Sequence, residues 1–273
     1  MRRLANGVVL VLSEKHDVPL IGMELVVRGG AVTDPADGNG LAALLADVMQ
    51  HGAGDRDAAQ FAEAVESVGG RLTASAGLEA IYVSADFLSR DAELMISLVS
   101  DMLRRPTLDV DEFEKLRERS INLIKAAKGG DLGRLLGQYG NALLFGNHPY
   151  GNPVGGSETS LSGITHEMLV QHYEQFVGAD RLIISVVGDF NIAAMKARLA
   201  AAFDGWRPAA APLPELAAAA RNTGRRVLLI DKPDATQTYF WIGNTGVAAK
   251  YRKRAELNLA NTVFGGRFTS MLM

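Results

Sequence analysis

Residues 38–52 read GNGLAALLADVMQHG, and the spacing of their apolar side chains decides how this part of the chain folds. Apolar residues recur every three to four positions, the period of one helix face, at Leu41, Leu44, Leu45, Val48 and Met49. Asn39 stands directly before this run. Its side-chain oxygen is of the type that accepts hydrogen bonds from the first free backbone N–H groups of a helix. The stretch therefore predicts an amphipathic helix, capped by Asn39, whose apolar face packs against a core.

Strand and helix patterns alternate on both sides of this helix. Two β-rich runs, Val8–Leu12 and Leu20–Val27, precede it around a polar turn, and we expect them to form a hairpin or an adjacent pair. Further periodic runs predict helices at 58–68, 91–103, 111–128, 132–145, 165–176 and 192–203, and strands at 71–76, 80–87 and 182–187. This alternation is typical of a mixed α/β protein.

The composition changes after residue 207. Three prolines punctuate an alanine-rich stretch up to Ala220, which is typical of an interdomain linker. Beyond it the opening pattern restarts, with β-rich runs at 227–230 and 236–242 around a polar turn at 231–234, and a helical run at 255–264. The sequence therefore predicts three parts, which are an N-terminal domain at 1–207, a linker at 208–222 and the incomplete start of a second, homologous domain at 223–273.

Overall composition excludes several classes of function. The chain has 273 residues, 48% of them hydrophobic and 22% charged, with a formal net charge of −3 and no cysteine. Positive charge is scattered, so nothing indicates a nucleic-acid interface. The absence of cysteine excludes disulfides, thiolate metal sites and cysteine nucleophiles. No apolar run is long enough for a membrane span.

The compartment is not fixed by the sequence. The first residues, MRRLANGVVLVLSEKH, contain an apolar run that is short for a signal peptide and is followed by no small-residue cleavage site, so they indicate a first strand. If a leader has been removed, the bacterial periplasm is favoured over the cytoplasm.

Four motifs in order resemble the pitrilysin/insulinase family of inverted zinc metallopeptidases, which includes the mitochondrial processing peptidase. They are GAVTDPADGNGLAALLAD at 30–47, ESVGGRLTASAGLEAIYVSADFL at 66–88, LFGNHPYGNPVGGSETSLSGIT at 144–165 and RLIISVVGDFN at 181–191. The resemblance implies an α+β fold, an α/β sandwich of two similar halves. Each half is a mostly antiparallel sheet with helices on one face, and the second half is truncated here.

The catalytic residues of that family are missing from the matching positions. Its zinc helix carries H-x-x-E-H, with two histidine ligands and a glutamate base. Ala43, Ala46 and Asp47 stand at those three places, and Leu123 stands where the resemblance puts the third ligand. Asp47 is expected to be a solvated or capping carboxylate. The resemblance therefore implies no catalytic residues, no metal, no other cofactor and no enzymatic activity of this chain alone.

Histidines do not replace the missing ligands. None of His16, His51, His148, His166 and His172 forms an i,i+4 pair that would share a helix face. We expect all of them to be loop or surface residues rather than metal ligands.

Two stretches match parts of the family that engage substrate. In active relatives the strand after Gly-Gly pairs its edge with an extended peptide, and a glycine-rich loop of non-catalytic subunits contributes from the other half. The corresponding residues here are Leu72, Thr73, Ala74, Ser75, Gly265 and Gly266.

The resemblance leaves three hypotheses for function. In the first, the chain is the non-catalytic subunit of a heterodimeric zinc peptidase, with an active subunit of the same family as its partner, or with self-association instead, and a peptide as its substrate. In the second, it is a structural or scaffold protein with no role in proteolysis. In the third, it is an autonomous peptidase that uses a displaced metal.

Overall fold

The structure, a computed structural model, describes residues 1–130, 133–233 and 236–272. Six strands form a single sheet in the order β1-β2-β6-β3-β5-β4. Their bounds are β1 Arg2–Arg3, β2 Val9–Glu14, β3 Leu20–Arg28, β4 Arg71–Ala76, β5 Ala80–Leu88 and β6 Leu182–Gly188. Only β2 and β6 pair in parallel, and every other pair of neighbours is antiparallel. The predicted mostly antiparallel sheet is therefore confirmed.

The described ranges also contain helices, several of which pack against this sheet. They are α1 Leu41–Val48, α2 Ala58–Glu66, α3 Ala92–Arg104, α4 Val110–Gly129, α5 Gly133–Phe145, α6 Glu158–Gly163, α7 His166–Phe176, α8 Ile192–Ala202 and α9 Arg254–Gly265. Along β3 the buried side chains alternate with exposed or half-buried ones, as expected when one face meets a core. The buried face of β3 consists of Ile21, Met23, Leu25 and Val27. The predicted α+β class is confirmed.

The expected pairing of the first two long strands is wrong. Strand β6 lies between β2 and β3 and pairs with both. Ile183 of β6 is the parallel partner of Val9 and the antiparallel partner of Val26. A strand from far along the chain replaces the local hairpin because it buries its own alternate apolar residues, such as Ile184 and Val186, in the same core.

The expected cap of α1 is also wrong. Gly40, with φ of 102°, occupies the N-cap position and supplies no side chain. The carboxylate of Asp34 satisfies the first turn instead, accepting from the backbone N–H of Gly40 at 2.9 Å and of Ala42 at 2.8 Å. The side chain of Asn39 donates to the carbonyl of Ala36 at 3.4 Å.

The C-terminal part differs most from the prediction. Within its described residues, 223–272 contain the helix α9 and no strand, so the runs at 227–230 and 236–242 do not form the expected strands. A strand needs partners to satisfy its backbone, and the described residues supply none there. Leu132, Asp234 and Met273, which the sequence predictions used as bounds, lie outside the described residues. The three domain boundaries and the second sheet stay predictions.

The linker stretch itself contains neither helix nor strand. Its first residues are nevertheless fixed to the domain, since the N–H of Ala209 donates to Asp180 at 2.7 Å and that of Ala211 to the carbonyl of Gln175 at 3.0 Å. None of the helices in the described ranges is both long and apolar enough to cross a membrane.

Candidate functional site

The positions that correspond to the zinc ligands lie where α1 packs against α4. Ala43 and Asp47 are one turn apart on α1, and both are half-buried. Arg119 of α4 acts electrostatically on Asp47, and Leu123, one turn further on, lines with Arg119 an open surface depression whose other lining residues also belong to α4. The contact between α1 and α4 therefore brings these positions into one region of the molecule.

The residues at this place do not fit a zinc ion. A catalytic zinc needs three nitrogen, sulfur or oxygen ligands from the protein, whereas Ala43, Ala46 and Leu123 present only carbon. Ala46 is fully buried, and Leu123 is 59% exposed. Across the part of the chain that the structure describes, no group of three or more His, Cys, Asp or Glu side chains is arranged to hold a metal.

Asp47 is half-buried rather than fully solvated. Burial raises the pKa of its carboxyl, while electrostatic interactions with His51 and Arg119 act in the opposite direction. The backbone carbonyl of Asp47 is 2.8 Å from Nδ1 of His51. The carboxylate of Asp47 thus lies within electrostatic range of the guanidinium of Arg119.

Strand β4 is the last strand of the sheet order, and it packs against α1. Gly77 donates to the carbonyl of Ala80 at 2.8 Å and closes the β4–β5 hairpin. Hydrogen-bonded and non-hydrogen-bonded residue pairs alternate along an antiparallel ladder. Counting back from Gly77 by twos, Ser75 and Thr73 therefore direct their backbone groups to β5. The backbone groups of Leu72 and Ala74 point to the outer edge, along which no strand pairs in the described ranges. Of the four predicted substrate residues on this strand, these two direct their backbone groups to the free edge.

Gln50 lies at this edge, and the sequence analysis missed it. It follows the end of α1, and its Nε2 donates to the carbonyl of Ala74 at 3.0 Å and to the carbonyl of Ala46 at 2.9 Å. One signal was available, because Gln50 is seven residues after Ala43 and so falls on the same helix face.

The hairpin that carries β4 is held from two sides. Backbone N–H groups of Ala31 and Val32 donate to the carbonyls of Gly77 at 3.0 Å and Leu78 at 2.9 Å. The hydroxyl of Tyr150 donates to the carboxylate of Glu79, which raises the pKa of Tyr150 to about 12. The His-Pro-Tyr-Gly segment therefore positions the outer strand.

A buried histidine contradicts the expectation that all five lie in loops or on the surface. His172 of α7 is 4% exposed, and its Nε2 is 3.3 Å from Oγ1 of Thr33 and 4.0 Å from Oδ1 of Asp34. Burial lowers the pKa of His172 to about 4 and raises that of Asp34 to about 7. The carboxyl that caps α1 thus belongs to a buried titratable pair.

The two predicted glycines lie at an exposed helix end. Gly265 is the last residue of α9 and Gly266 follows it, and none of the residues of this helix is buried. The structure gives them no extensive contact with β4. Their part in substrate binding stays a prediction.

Comparison with known families gives two matches that together span most of the chain. Residues 9–155 match the family model described as Insulinase (Peptidase family M16), and residues 163–273 match the model described as Peptidase M16 inactive domain.

Similar proteins differ in what their names say about catalysis. An uncharacterized zinc protease of Mycobacterium leprae is 28% identical over 98% of this chain and 60% of its own length. The uncharacterized zinc protease YmxG of Bacillus subtilis is 23% identical over 98% of this chain and 64% of its own length. The non-peptidase homolog YmxG of Helicobacter pylori is 24% identical over 67% of this chain and 42% of its own length. The chain thus spans less than two thirds of the length of these relatives.

A solved structure supports the fold. A peptidase M16 inactive domain from Pseudomonas fluorescens superposes with a TM-score of 0.86 at 20% identity, covering 100% of this chain and 66% of the other.

Proposed function

Because the chain belongs to the insulinase (M16) family of peptidases, we propose that it is a non-catalytic subunit of a heterodimeric zinc peptidase. In this role it binds part of an extended peptide and helps to enclose the reaction chamber. The active partner, a member of the same family with an intact H-x-x-E-H helix, supplies the metal and the base.

One observation carries the proposal. An outer strand edge, with which no strand pairs in the described ranges, lies beside α1, whose positions 43 and 46 carry no metal ligand or base, and contacts of the hairpin hold this edge in place. β-Augmentation uses backbone groups, so it survives the side-chain changes that remove metal chemistry. The outward backbone groups of Leu72 and Ala74 are the ones that would pair with the peptide.

The support of the hairpin points the same way. Glu79 is tied to Tyr150, and the turn is tied to Ala31 and Val32. A protein kept only for its core packing needs no such anchoring of an edge strand, whereas a peptide-binding edge must be held in place before the peptide arrives.

A first experiment tests the mode of binding. The probe is a fluorescein-labelled peptide of about eight residues of Val, Thr, Ser and Ala, long enough to follow β4. Two further peptides carry N-methyl groups on alternate residues, one on the odd and one on the even positions. A peptide paired as a strand directs only every second N–H to β4. We expect one methylated peptide to lose binding and the other to keep it, and loss of both or of neither contradicts the proposal.

A second experiment tests the partnership. The chain, expressed with a family member from the same organism that has an intact H-x-x-E-H helix, should co-purify with it and raise its rate of peptide cleavage. If the two proteins neither associate nor affect peptide turnover, the subunit role is wrong. A complex of the chain with itself alone would point to self-association instead.

The alternative, a structural or scaffold role without peptide binding, is favoured by one contact. The carbonyl of Ala74, in the middle of the outer edge, already accepts a hydrogen bond from Gln50. An edge whose backbone is occupied in this way is protected against pairing. Binding to a large assembly together with no affinity for any of the three peptides would support this alternative.

A further inference from the structure

We propose that Gln50 regulates the β4 edge by occupying it, so that a bound peptide must displace its carboxamide from the carbonyl of Ala74. This inference rests on the proposed peptide-binding function. It assigns to Gln50 the part of an internal competitor that sets the affinity of the site.

The geometry fixes the carboxamide at both of its hydrogens. A glutamine Nε2 has two donors. One donates to Ala74 at 3.0 Å across to the strand, and the other to Ala46 at 2.9 Å, four residues back on its own helix. Ala46 is among the last carbonyls of α1, which have no partner within the helix. The side chain is therefore held at the helix end and reaches the strand from there.

The bond to Ala74 reproduces one contact of a paired strand. In a strand added to β4, an N–H of the new strand would donate to the carbonyl of Ala74, because that carbonyl points outward. The N–H group of Gln50 satisfies the same acceptor from a side chain. A carbonyl oxygen can accept two hydrogen bonds, but a side-chain nitrogen 3.0 Å from Ala74 occupies the space beside the edge that an added strand needs, so a peptide gains this contact fully when Gln50 leaves.

The consequence for the ligand is specific. The occupant is an extended peptide whose residue opposite Ala74 carries a free N–H, which excludes proline there. When a peptide displaces Gln50, the hydrogen bond between Gln50 and Ala74 is lost and offsets the one that the peptide gains. The peptide therefore binds about fivefold more weakly than it would bind an edge that Gln50 did not occupy.

The test uses three variants of the full chain and the unmethylated fluorescein peptide described above. Gln50→Ala removes the carboxamide, and Gln50→Met removes its donors but keeps its length. Gln171→Ala, an exposed glutamine of α7 for which the structure gives no side-chain hydrogen bond, is the matched control. We expect Gln50→Ala and Gln50→Met to bind about fivefold more tightly than the wild type, and Gln171→Ala to bind as the wild type does.

The outcomes separate the two proposals. If both Gln50 variants bind the peptide with an affinity equal to or lower than that of the wild type, the competition by Gln50 is wrong while peptide binding stands. If none of the proteins binds the peptide, the proposed function itself fails and the inference falls with it.

A measurement on the wild type guards against a folding defect in the variants. The side-chain amide resonance of Gln50 should move to the position of a solvent-exposed glutamine when the peptide is added. A resonance that stays unchanged at saturating peptide would overturn the inference.

Discussion

His172 and Asp34 face each other in the core, with Nε2 of the histidine 4.0 Å from Oδ1 of the aspartate. Burial raises the pKa of Asp34 from 3.8 to about 7 and lowers that of His172 from 6.5 to about 4. Between these values the folded pair holds its proton on the carboxyl and is neutral. In the unfolded chain the aspartate is ionised and the histidine protonated, so both states bind the same number of protons.

This pair predicts opposite pH profiles for two variants. The stabilising effect of Asp34 is complete below pH 3.8 and is lost as the pH rises through about 7. That of His172 is complete above pH 6.5 and is lost as the pH falls through about 4. Asp34→Asn leaves only the histidine, so the free energy of unfolding should rise with pH between 4 and 6.5. His172→Gln leaves only the aspartate, so the free energy of unfolding of this variant should fall as the pH rises to about 7.

Urea denaturation at several pH values measures both slopes. Each should approach about 1.4 kcal/mol per pH unit, the value for one proton, while the wild type shows a smaller slope because its two contributions cancel. Parallel profiles for the three proteins would show that the two side chains are not titrating as a buried pair.

Removing the hydroxyl of Tyr150 should loosen the β4–β5 hairpin. Tyr150→Phe eliminates the hydrogen bond to Glu79, so backbone amides near Gly77 and Ala80 should exchange faster with deuterium, and the loss of stability should be about 1 kcal/mol. Tyr251→Phe is the control, because Tyr251 is exposed and the structure gives no bond to its hydroxyl. Equal amide exchange rates in the wild type and both variants would show that the His-Pro-Tyr-Gly segment does not position β4.

Proline substitutions should separate the two sides of β4. Ala74→Pro removes an N–H that points to the outer edge, so the ladder to β5 should persist while peptide affinity falls about tenfold or more. Thr73→Pro removes an N–H that pairs with β5 and should lower the melting temperature. Calorimetry and fluorescence anisotropy check the two effects, and a peptide affinity of Ala74→Pro equal to that of the wild type would place the binding site elsewhere.

Restoring ligands should restore metal binding. Ala43 and Asp47 share a face of α1, and α4, which carries Leu123, packs against α1. The combined variant Ala43→His, Asp47→His and Leu123→Glu should therefore bind about one zinc ion per chain. Asp47→His alone serves as the control and should bind none. Elemental analysis after gel filtration gives the ratio, and a combined variant without zinc would mean that the two helices do not converge as described.

The elements around the site were predictable where local patterns are strong. The bounds of β4 and β5 agree with the prediction to within one residue, because alternating side chains and a glycine-containing turn specify a hairpin locally. The insertion of β6 between β2 and β3 was not predictable, since it depends on pairing between distant segments. The runs at 227–230 and 236–242 have a local strand pattern, but they form no sheet because the described residues give them no partner strand.

The site was predictable only in part, for a similar reason. The positions 43, 46, 47 and 123 follow from the register of motifs along the chain, which needs no geometry. Gln50 and the capping role of Asp34 were missed because both depend on where a side chain points after folding. His172 was expected near the surface, and its burial follows from the packing of α7 against α1, which a single sequence does not reveal.

The central claim is that this chain contributes no metal to a peptidase that it helps to form. Zinc content and peptide cleavage, measured for the chain alone and for its complex with an H-x-x-E-H partner, test it most directly. The account predicts no stoichiometric zinc in the isolated chain, and in the complex about one zinc ion, bound by the partner, with faster cleavage than by the partner alone. Stoichiometric zinc in the isolated chain, together with chelator-sensitive cleavage, would contradict it.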